Sequence, residues 1–178
     1  GDGTFRDTPS YVFGTSTAQP VVADFNGDTN LDIAVADYGT EEIGILLGAG
    51  DGTFAYDAGY AAGDFPISLT AGHFNGDQHI DLAAPATNDR RMAVLLGAGD
   101  GSFSAGTGFD IVFAMGMTAG ELDGRGGTDL VVSSGTQRSV TVYTCNGDGT
   151  FATAGTCTTG GQKWWSAGRP AIGDFDED

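Results

Sequence analysis

Positive charge is scarce in this chain of 178 residues. Seven Lys and Arg stand against 24 Asp and Glu, so the formal net charge at pH 7 is −17. Nucleic acids and anionic membrane surfaces are themselves densely negative and would repel such a protein. The composition therefore excludes nucleic acid as a partner and argues against binding to an anionic membrane surface.

Long apolar runs and residues suited to catalysis are also scarce. No segment approaches the ~20 consecutive apolar residues that cross a bilayer, so we expect no membrane insertion. The chain has only two histidines, His73 and His79, and both lie in a loop-like segment rich in Asn, Gly and Asp. No strand–nucleophile–helix motif is present. We therefore expect a protein that is not an enzyme.

Cysteine is limited to Cys145 and Cys157. The two flank the turn at residues 146–151, which we predict to join two antiparallel strands. A hairpin can bring two cysteines within bridging distance, so the pattern predicts a disulfide. A disulfide in turn favours an oxidising, extracellular location. The alternative is a pair of small buried thiols.

An acidic nine-residue pattern is the most informative feature that is present. The side chains at positions 1, 3, 5 and 9 of residues 24–32 are Asp24, Asn26, Asp28 and Asp32. EF-hand loops use this spacing, with a backbone carbonyl at position 7, to surround Ca²⁺ with oxygen. The sequence therefore predicts a Ca²⁺ site made by these side chains and the Asn30 carbonyl. The alternative is an Asx-rich turn bonded to its own backbone.

The acidic pattern returns at a nearly fixed interval. Equivalent loops begin at His73, Glu121 and Asp174, after steps of 49, 48 and 53 residues. A second marker, Gly-Thr-Phe or Gly-Ser-Phe, ends at Phe5, Phe54, Phe103 and Phe151 with the same period. A period in this range is typical of repeat architectures, including β-propellers.

The second loop has His73 where the first has an acid. Its other candidate ligands are Asn75, Asp77, Asp81 and the backbone carbonyl of His79, whose side chain should point away. Imidazole suits transition metals better than Ca²⁺, so we expect calcium affinity to be lower here. A zinc or copper site and a solvated histidine are the alternatives.

The third and fourth loops depart from the first in different ways. The third carries Arg125 at position 5, and we predict that this guanidinium pairs with Glu121, Asp123 and Asp129 as a built-in substitute cation. We expect no metal there. The fourth offers three candidate calcium ligands in an incomplete loop, namely Asp174, Asp176 and Asp178.

Each period contains four β-rich segments separated by Gly, Asp and Asn turns. The predicted strands are 20–23, 31–36, 43–47 and about 55–60, then 68–72, 80–84, 92–96 and 103–109, then 117–120, 129–133, 139–144 and 151–156. No window has sustained helical periodicity. Four antiparallel strands in each ~45-residue unit predict an all-β fold made of propeller blades.

Three segments resemble the FG-GAP/VCBS repeats of integrin α-subunit-like β-propellers. They are the Asp-Phe-Asn-Gly-Asp loop, the Leu-Asp-Ile-Ala-Val segment and the Leu-Leu-Gly-Ala-Gly-Asp-Gly-Thr-Phe hairpin. The resemblance implies a propeller of about seven blades. We expect three full blades, at about 18–66, 67–114 and 115–166, with partial blades at 1–17 and 167–178. Further blades from the same or another chain would complete the ring.

The resemblance implies three classes of function. The first is an extracellular, calcium-binding, non-catalytic scaffold for adhesion or ligand binding, with a protein or glycan ligand. The second is a lectin-like propeller, and the third is an accessory domain of a secreted polysaccharide-degrading enzyme. Four aromatic residues 8–10 positions ahead of the acidic loops are candidate ligand contacts, because they can stack on a sugar or anchor a protein: Phe65, Phe113, Trp164 and Trp165. Alternatively, they fill the ring centre or cover blade ends.

Overall fold

The computed structural model describes residues 10–158 and 168–173. Within these residues the chain is all-β and contains no helix, which confirms the predicted fold class. None of the described residues forms a helix able to cross a membrane. Thirteen strands form three antiparallel sheets, each with four strand positions. The sheets are consistent with propeller blades, although the described residues do not close into a ring.

The first sheet is a simple meander. Its strands are β1 (Thr17–Ala23), β2 (Asp32–Asp37), β3 (Glu42–Gly48) and β4 (Phe54–Ala61). They lie side by side in chain order, and every pair is antiparallel. The acidic loop at 24–32 joins β1 to β2. The strands begin and end within a few residues of the predicted ones, because Gly, Asp and Asn mark each turn.

The second sheet repeats this meander with an interrupted outer strand. It contains β5 (Thr70–Gly72), β6 (Asp81–Ala86), β7 (Arg91–Gly97), β8 (Phe103–Ala105) and β9 (Phe109–Asp110). Both β8 and β9 pair with β7, so they are two parts of the single strand predicted at 103–109. Gly106 and Gly108 lie between them, and glycine weakens strands.

The third sheet contains β10 (Gly116–Gly120), β11 (Asp129–Ser134), β12 (Ser139–Cys145) and β13 (Phe151–Thr158). Its strand order is the same as in the first sheet. Next to it, residues 168–173 follow β10: Arg169 Nε donates to the Met117 carbonyl at 3.0 Å, and Ser133 Oγ donates to the Gly168 carbonyl at 2.9 Å.

The predicted disulfide between Cys145 and Cys157 is wrong. Both cysteines are free, Cys145 buried and Cys157 exposed. In the β12–β13 hairpin, Cys145 is opposite Phe151, whereas Cys157 is opposite Val140. Positions 140 and 145 are five residues apart along β12, or about 17 Å at the rise of a β-strand. A disulfide requires Cα atoms less than about 7 Å apart, so the two cysteines lie at opposite ends of the hairpin.

Two apolar cores hold the three sheets together. Between the first and second sheets, Ile43 and Ile45 pack in a core with Leu82 and Leu95. Between the second and third sheets, a second core contains the residues Met92, Val94, Leu130, Val132 and Tyr143. Because successive side chains in a strand point to opposite faces, each central strand contributes to both sides of its sheet. The second sheet is thus buried on both faces.

Candidate metal-binding loops

The three described acidic loops have one backbone shape. Positions 4 and 6 of each loop have positive φ angles: Gly27 (75°) and Thr29 (72°), Gly76 (77°) and Gln78 (70°), Gly124 (71°) and Gly126 (80°). Threonine rarely adopts a positive φ, because its branched side chain meets the backbone. The three loops thus share one backbone conformation, although the residues at position 6 are Thr, Gln and Gly.

In the first loop, Asp24 holds the bend. Its carboxylate accepts the N–H of Gly27 at 2.7 Å and that of Thr29 at 2.8 Å. Asp28 is exposed and accepts the Asn30 N–H at 2.7 Å and the Asn26 side-chain amide at 3.1 Å. The Asn30 N–H and then the Asn26 amide lower the pKa of Asp28. These hydrogen bonds therefore hold the carboxylate oxygens of Asp24 and Asp28 in a fixed arrangement.

The aspartate at position 9 has a structural role that the sequence reading missed. Asp32 is fully buried, and its two oxygens accept the N–H groups of Phe25 and Gly48 at 2.8 Å each. Asp81 binds Phe74 and Gly97 in the same way, at 2.7 and 2.9 Å, and Asp129 binds Leu122 and Cys145, at 2.8 Å each. Each aspartate thus ties the start of its loop to the end of the third strand. We call these three pairs of hydrogen bonds the loop ties.

The glycine at the end of the third strand belongs to the same arrangement. A Cβ added at Gly48 would collide with the Leu31 carbonyl, and one at Gly97 with the Ile80 carbonyl. This close approach explains the Leu-Leu-Gly motif. An aspartate that recurs 16 residues ahead of the end of the next strand is the signal in the sequence that could have revealed the loop ties.

The second loop is closed by a histidine. His73 Nδ1 lies 2.8 Å from the His79 carbonyl, which is the backbone oxygen at position 7. Asp77 accepts the His79 N–H at 2.9 Å and the Asn75 amide at 2.7 Å. Burial raises the pKa of Asp81, against the lowering effect of its two N–H donors. The His73 imidazole thus contacts the backbone carbonyl oxygen that a metal would need as a ligand in this loop.

The third loop brings its acids together most closely. Ligand atoms of Glu121, Asp123 and Asp129 all lie within 4.8 Å of one another, the one such group of His, Cys, Asp or Glu in the described part of the chain. Glu121 accepts four backbone N–H groups at 2.7–3.1 Å, from residues 123, 124, 126 and 127. Burial raises the pKa of Glu121, but these four donors outweigh it and lower the pKa overall.

Arg125 lies at the edge of this cluster, not at its centre. Its side chain is 80% exposed, and Nε is 3.6 Å from Asp123 Oδ2. Among the described ion pairs, Arg125 has none with Glu121 or Asp129. The predicted threefold pairing is therefore reduced to one long contact, because backbone N–H groups already bind the other two carboxylates.

A second set of aspartates shapes turns. Asp51, Asp100 and Asp148 each accept the N–H of the residue two positions later, at 2.9–3.0 Å. Side-chain hydrogen bonds from Thr53, Ser102 and Thr150 are the main cause that lowers the pKa of these three carboxyls. These are Asx turns, and they account for the Gly-Asp-Gly-Thr-Phe marker.

Of the remaining predicted site residues, the structure describes Phe65 and Phe113. Phe65 is exposed and lies against Tyr38, with ring centroids 5.1 Å apart, whereas Phe113 is half-buried. Trp164, Trp165, Asp174, Asp176 and Asp178 lie outside the described residues. A ligand-binding role for the four aromatic candidates stays a prediction.

Comparison with known proteins agrees with the repeat geometry. Residues 24–84 match the model of the family described as FG-GAP-like repeat. Over these residues the chain is similar to an FG-GAP-like repeat. The match runs from Asp24, the first residue of the first acidic loop, to Ala84 in β6, so the matched segment contains the first two acidic loops. No curated protein matches the chain. The closer relation to integrin α-subunits stays a prediction.

Proposed function

We propose that this FG-GAP-like repeat protein is an extracellular, non-catalytic scaffold that binds calcium in its first acidic loop. The observation that carries the proposal is the arrangement of that loop, in which hydrogen bonds fix Asp24, Asn26 and Asp28 around one bend. The calcium would be held by Asp24, Asn26, Asp28, the Asn30 carbonyl and Asp32.

The donor set fits a hard cation. Carboxylate, amide and carbonyl oxygens are the ligands that Ca²⁺ takes, in groups of six to eight with water. Asp32 uses each oxygen once for a loop tie, and a carboxylate oxygen keeps a second lone pair for a metal. No ion pair between the first-loop acids and a Lys or Arg is found among the described residues. A bound cation would supply the missing positive charge.

The third loop is a second candidate for the same cation. The sequence predicted no metal in this loop because of Arg125. The exposed Arg125 side chain contacts Asp123 alone among the three acids, and the convergence of these acids favours metal binding. The second loop is the poorest candidate, since His73 replaces an acid and contacts the position-7 carbonyl. We therefore expect calcium affinity to be highest in the first loop and lowest in the second.

Two independent features support a role in binding, not in catalysis. The His73 ring contacts the backbone of its own loop, and the described carboxylates of the loops and turns bind backbone N–H groups. Side chains that bind the backbone of their own loop or turn are used for structure, which supports a non-catalytic role. The scaffold would then present a protein or glycan ligand-binding surface.

Calorimetric titration of Ca²⁺ into metal-free protein tests the proposal. Asp28→Asn removes one first-loop carboxylate while preserving its shape, and Glu121→Gln does the same for the third loop. Asp57→Asn, an exposed change on β4 away from all loops, is the matched control. We expect Asp28→Asn to weaken the tightest binding event by more than about tenfold, with the control unchanged. Calcium binding that Asp28→Asn leaves untouched would overturn the assignment to the first loop.

A further inference from the structure

The first two acidic loops each contain an asparagine followed by a glycine. The sequence Phe-Asn-Gly-Asp is identical in both. Asn26 Oδ1 accepts the Asp28 N–H at 3.0 Å, and Asn75 Oδ1 accepts the Asp77 N–H at 3.1 Å. The φ angles of the two glycines, 75° and 77°, also agree, and in each pair the asparagine is half-buried and the glycine is exposed. The two pairs therefore have nearly the same conformation and exposure.

An acid at position 1 binds the glycine N–H at position 4 in two of the three described loops. Asp24 Oδ1 accepts the Gly27 N–H at 2.7 Å in the first loop. Glu121 Oε1 accepts the Gly124 N–H at 2.7 Å in the third loop. In both loops the proton on the glycine nitrogen is therefore held by a carboxylate.

The second loop lacks this hydrogen bond. Its position 1 is His73, whose Nδ1 lies 2.8 Å from the His79 carbonyl. Because a carbonyl oxygen only accepts, Nδ1 is the donor in this contact and cannot accept a second N–H. No hydrogen-bond acceptor for the Gly76 N–H is found among the residues that the structure describes. The two Asn-Gly pairs thus differ in the partner of the glycine nitrogen.

The glycine nitrogen matters because asparagine is a chemically labile residue. Once it has lost its proton, the nitrogen of the following residue can attack the asparagine Cγ. A bond forms between this nitrogen and Cγ, the bond from Cγ to the side-chain nitrogen breaks, and ammonia leaves with the displaced proton. The succinimide ring that results takes up a water molecule and opens to aspartate or isoaspartate. A glycine favours ring closure, since it has no side chain to obstruct it.

We propose that Asn75 is a site of spontaneous deamidation in the folded protein, and that Asp24 protects Asn26 from the same reaction. The Asp24 carboxylate binds the Gly27 N–H, and its negative charge opposes the second negative charge that forms when this nitrogen loses its proton. The Gly76 nitrogen has no such carboxylate partner in the described structure. The proposal does not depend on calcium.

A third Asn-Gly pair, Asn146-Gly147, lies in the turn before β13. The Gly147 N–H donates to Cys145 Sγ at 3.3 Å. A thiol sulfur is a weak and uncharged acceptor, so we expect Asn146 to deamidate faster than Asn26. Because its side-chain amide donates to Thr150, at 2.9 Å, this pair is less closely matched to the first loop than Asn75 is.

Deamidation would change the second loop itself. Asn75 Nδ2 donates to Asp77 Oδ2 at 2.7 Å. Aspartate has no N–H to donate, and it would place two like charges at this contact, which is destabilising. Isoaspartate would in addition lengthen the main chain by a methylene group. Either product therefore adds a negative charge to the loop and removes a hydrogen bond that holds its bend.

Incubation of the folded protein in EDTA at mildly alkaline pH, followed by mass spectrometry, tests the proposal. Chymotrypsin cleaves after phenylalanine, so cuts after Phe25 and Phe74 place Asn26 and Asn75 in separate peptides. We expect Asn75 to deamidate at least about fivefold faster than Asn26, the factor that one modest hydrogen bond supplies. A smaller ratio would overturn the proposal.

The same protein unfolded in guanidinium chloride is the control. Because Asn26 and Asn75 have identical neighbours from the preceding phenylalanine to the following aspartate, their rates in the unfolded chain should be nearly equal. The difference between them should therefore appear only when the protein is folded. A ratio in the unfolded chain as large as in the folded protein would show that the fold is not its cause, and would overturn the proposal.

Exchanging the residues at position 1 tests the cause directly. His73→Asp supplies the missing acceptor and should slow the reaction at Asn75 to the rate of Asn26. Asp24→His removes the acceptor from the first loop and should speed the reaction at Asn26. If Asp24→His does not fold, His73→Asp still decides, because it gives the second loop the position-1 residue of the first.

The substitution His73→Ala separates a missing acceptor from an effect of the imidazole. Alanine adds no acceptor, so Asn75 should deamidate about as fast as in the wild-type protein. A His73→Ala protein that deamidates as slowly as His73→Asp would show that the imidazole promotes the reaction, and would overturn the proposal. An unchanged rate at Asn75 in His73→Asp would overturn it as well.

Discussion

Removing one loop tie should destabilise the whole protein. Asp81 lies in the second sheet, which is packed on both faces, and it is fully buried. Its oxygens accept the buried N–H groups of Phe74 and Gly97 at 2.7 and 2.9 Å. Asp81→Ala leaves both donors without a partner in a place that water does not reach.

The size of the effect follows from the two lost acceptors. A buried donor left without a partner costs about 1–3 kcal/mol, so two cost about 2–6 kcal/mol. The free energy of unfolding of a typical domain is only about 5–15 kcal/mol. For a chain of this size each kcal/mol lowers the melting temperature by about 2–4 °C, which gives a fall of roughly 4–24 °C.

The measurement is urea and thermal unfolding in EDTA, so that no bound cation contributes. Asp81→Asn keeps one acceptor oxygen and should lose about half as much stability as Asp81→Ala. The exposed control Asp57→Ala should change the free energy of unfolding by less than about 0.5 kcal/mol. An Asp81→Ala protein within about 1 kcal/mol of wild type would refute the reasoning, because two buried N–H groups cannot be left unpaired so cheaply.

Three other results are expected. Burial raises the pKa of Asp37, but N–H groups of Ser16, Thr40, Gly39 and Thr15 outweigh it and lower the pKa below 3.8. Such a carboxyl stabilises the fold above its ordinary pKa and loses this contribution as the pH falls. The difference in free energy of unfolding between wild type and Asp37→Asn should therefore shrink from about pH 6 to about pH 3. A difference that stays constant over this range would contradict the reasoning. Thr29→Gly should raise the free energy of unfolding in urea by roughly 0.5–1 kcal/mol. The reason is that relief of about 1–2 kcal/mol of left-handed backbone strain exceeds the extra conformational entropy that glycine loses on folding. Thr29→Ala should leave the free energy of unfolding unchanged. Adding EDTA to calcium-loaded protein should remove about 2.7 kcal/mol if calcium was at a hundredfold excess over its Kd, and a melting temperature that EDTA leaves unchanged would contradict calcium binding.

The strands and their order were predictable because their signals are local. Turn residues mark each strand end, and β-branched residues such as Val35 and Ile45 fill the strands, so period and pattern agree. The Asx turn at Asp51 follows from the same short-range chemistry. Repetition strengthened the assignment, since every element was seen three times.

Contacts between distant residues were not predictable in this way. The Asp32 tie to Gly48 and the contact of Gly101 with Phe25 depend on strand register and on packing between sheets. The disulfide prediction failed for the same reason, because a hairpin places Cys145 and Cys157 on neighbouring strands without making them opposite each other. In the third loop, the sequence shows that Arg125 lies among acidic residues. It does not show that backbone N–H groups already bind the carboxylates of Glu121 and Asp129.

A crystal structure of calcium-soaked protein, with the metal located by anomalous scattering, tests the central claim most directly. We predict an ion in the first loop with metal–oxygen distances of about 2.3–2.6 Å. Its protein ligands should be Asp24, Asn26, Asp28, the Asn30 carbonyl and Asp32. A water molecule at that centre, or no density there, in crystals grown with calcium would contradict the proposed function.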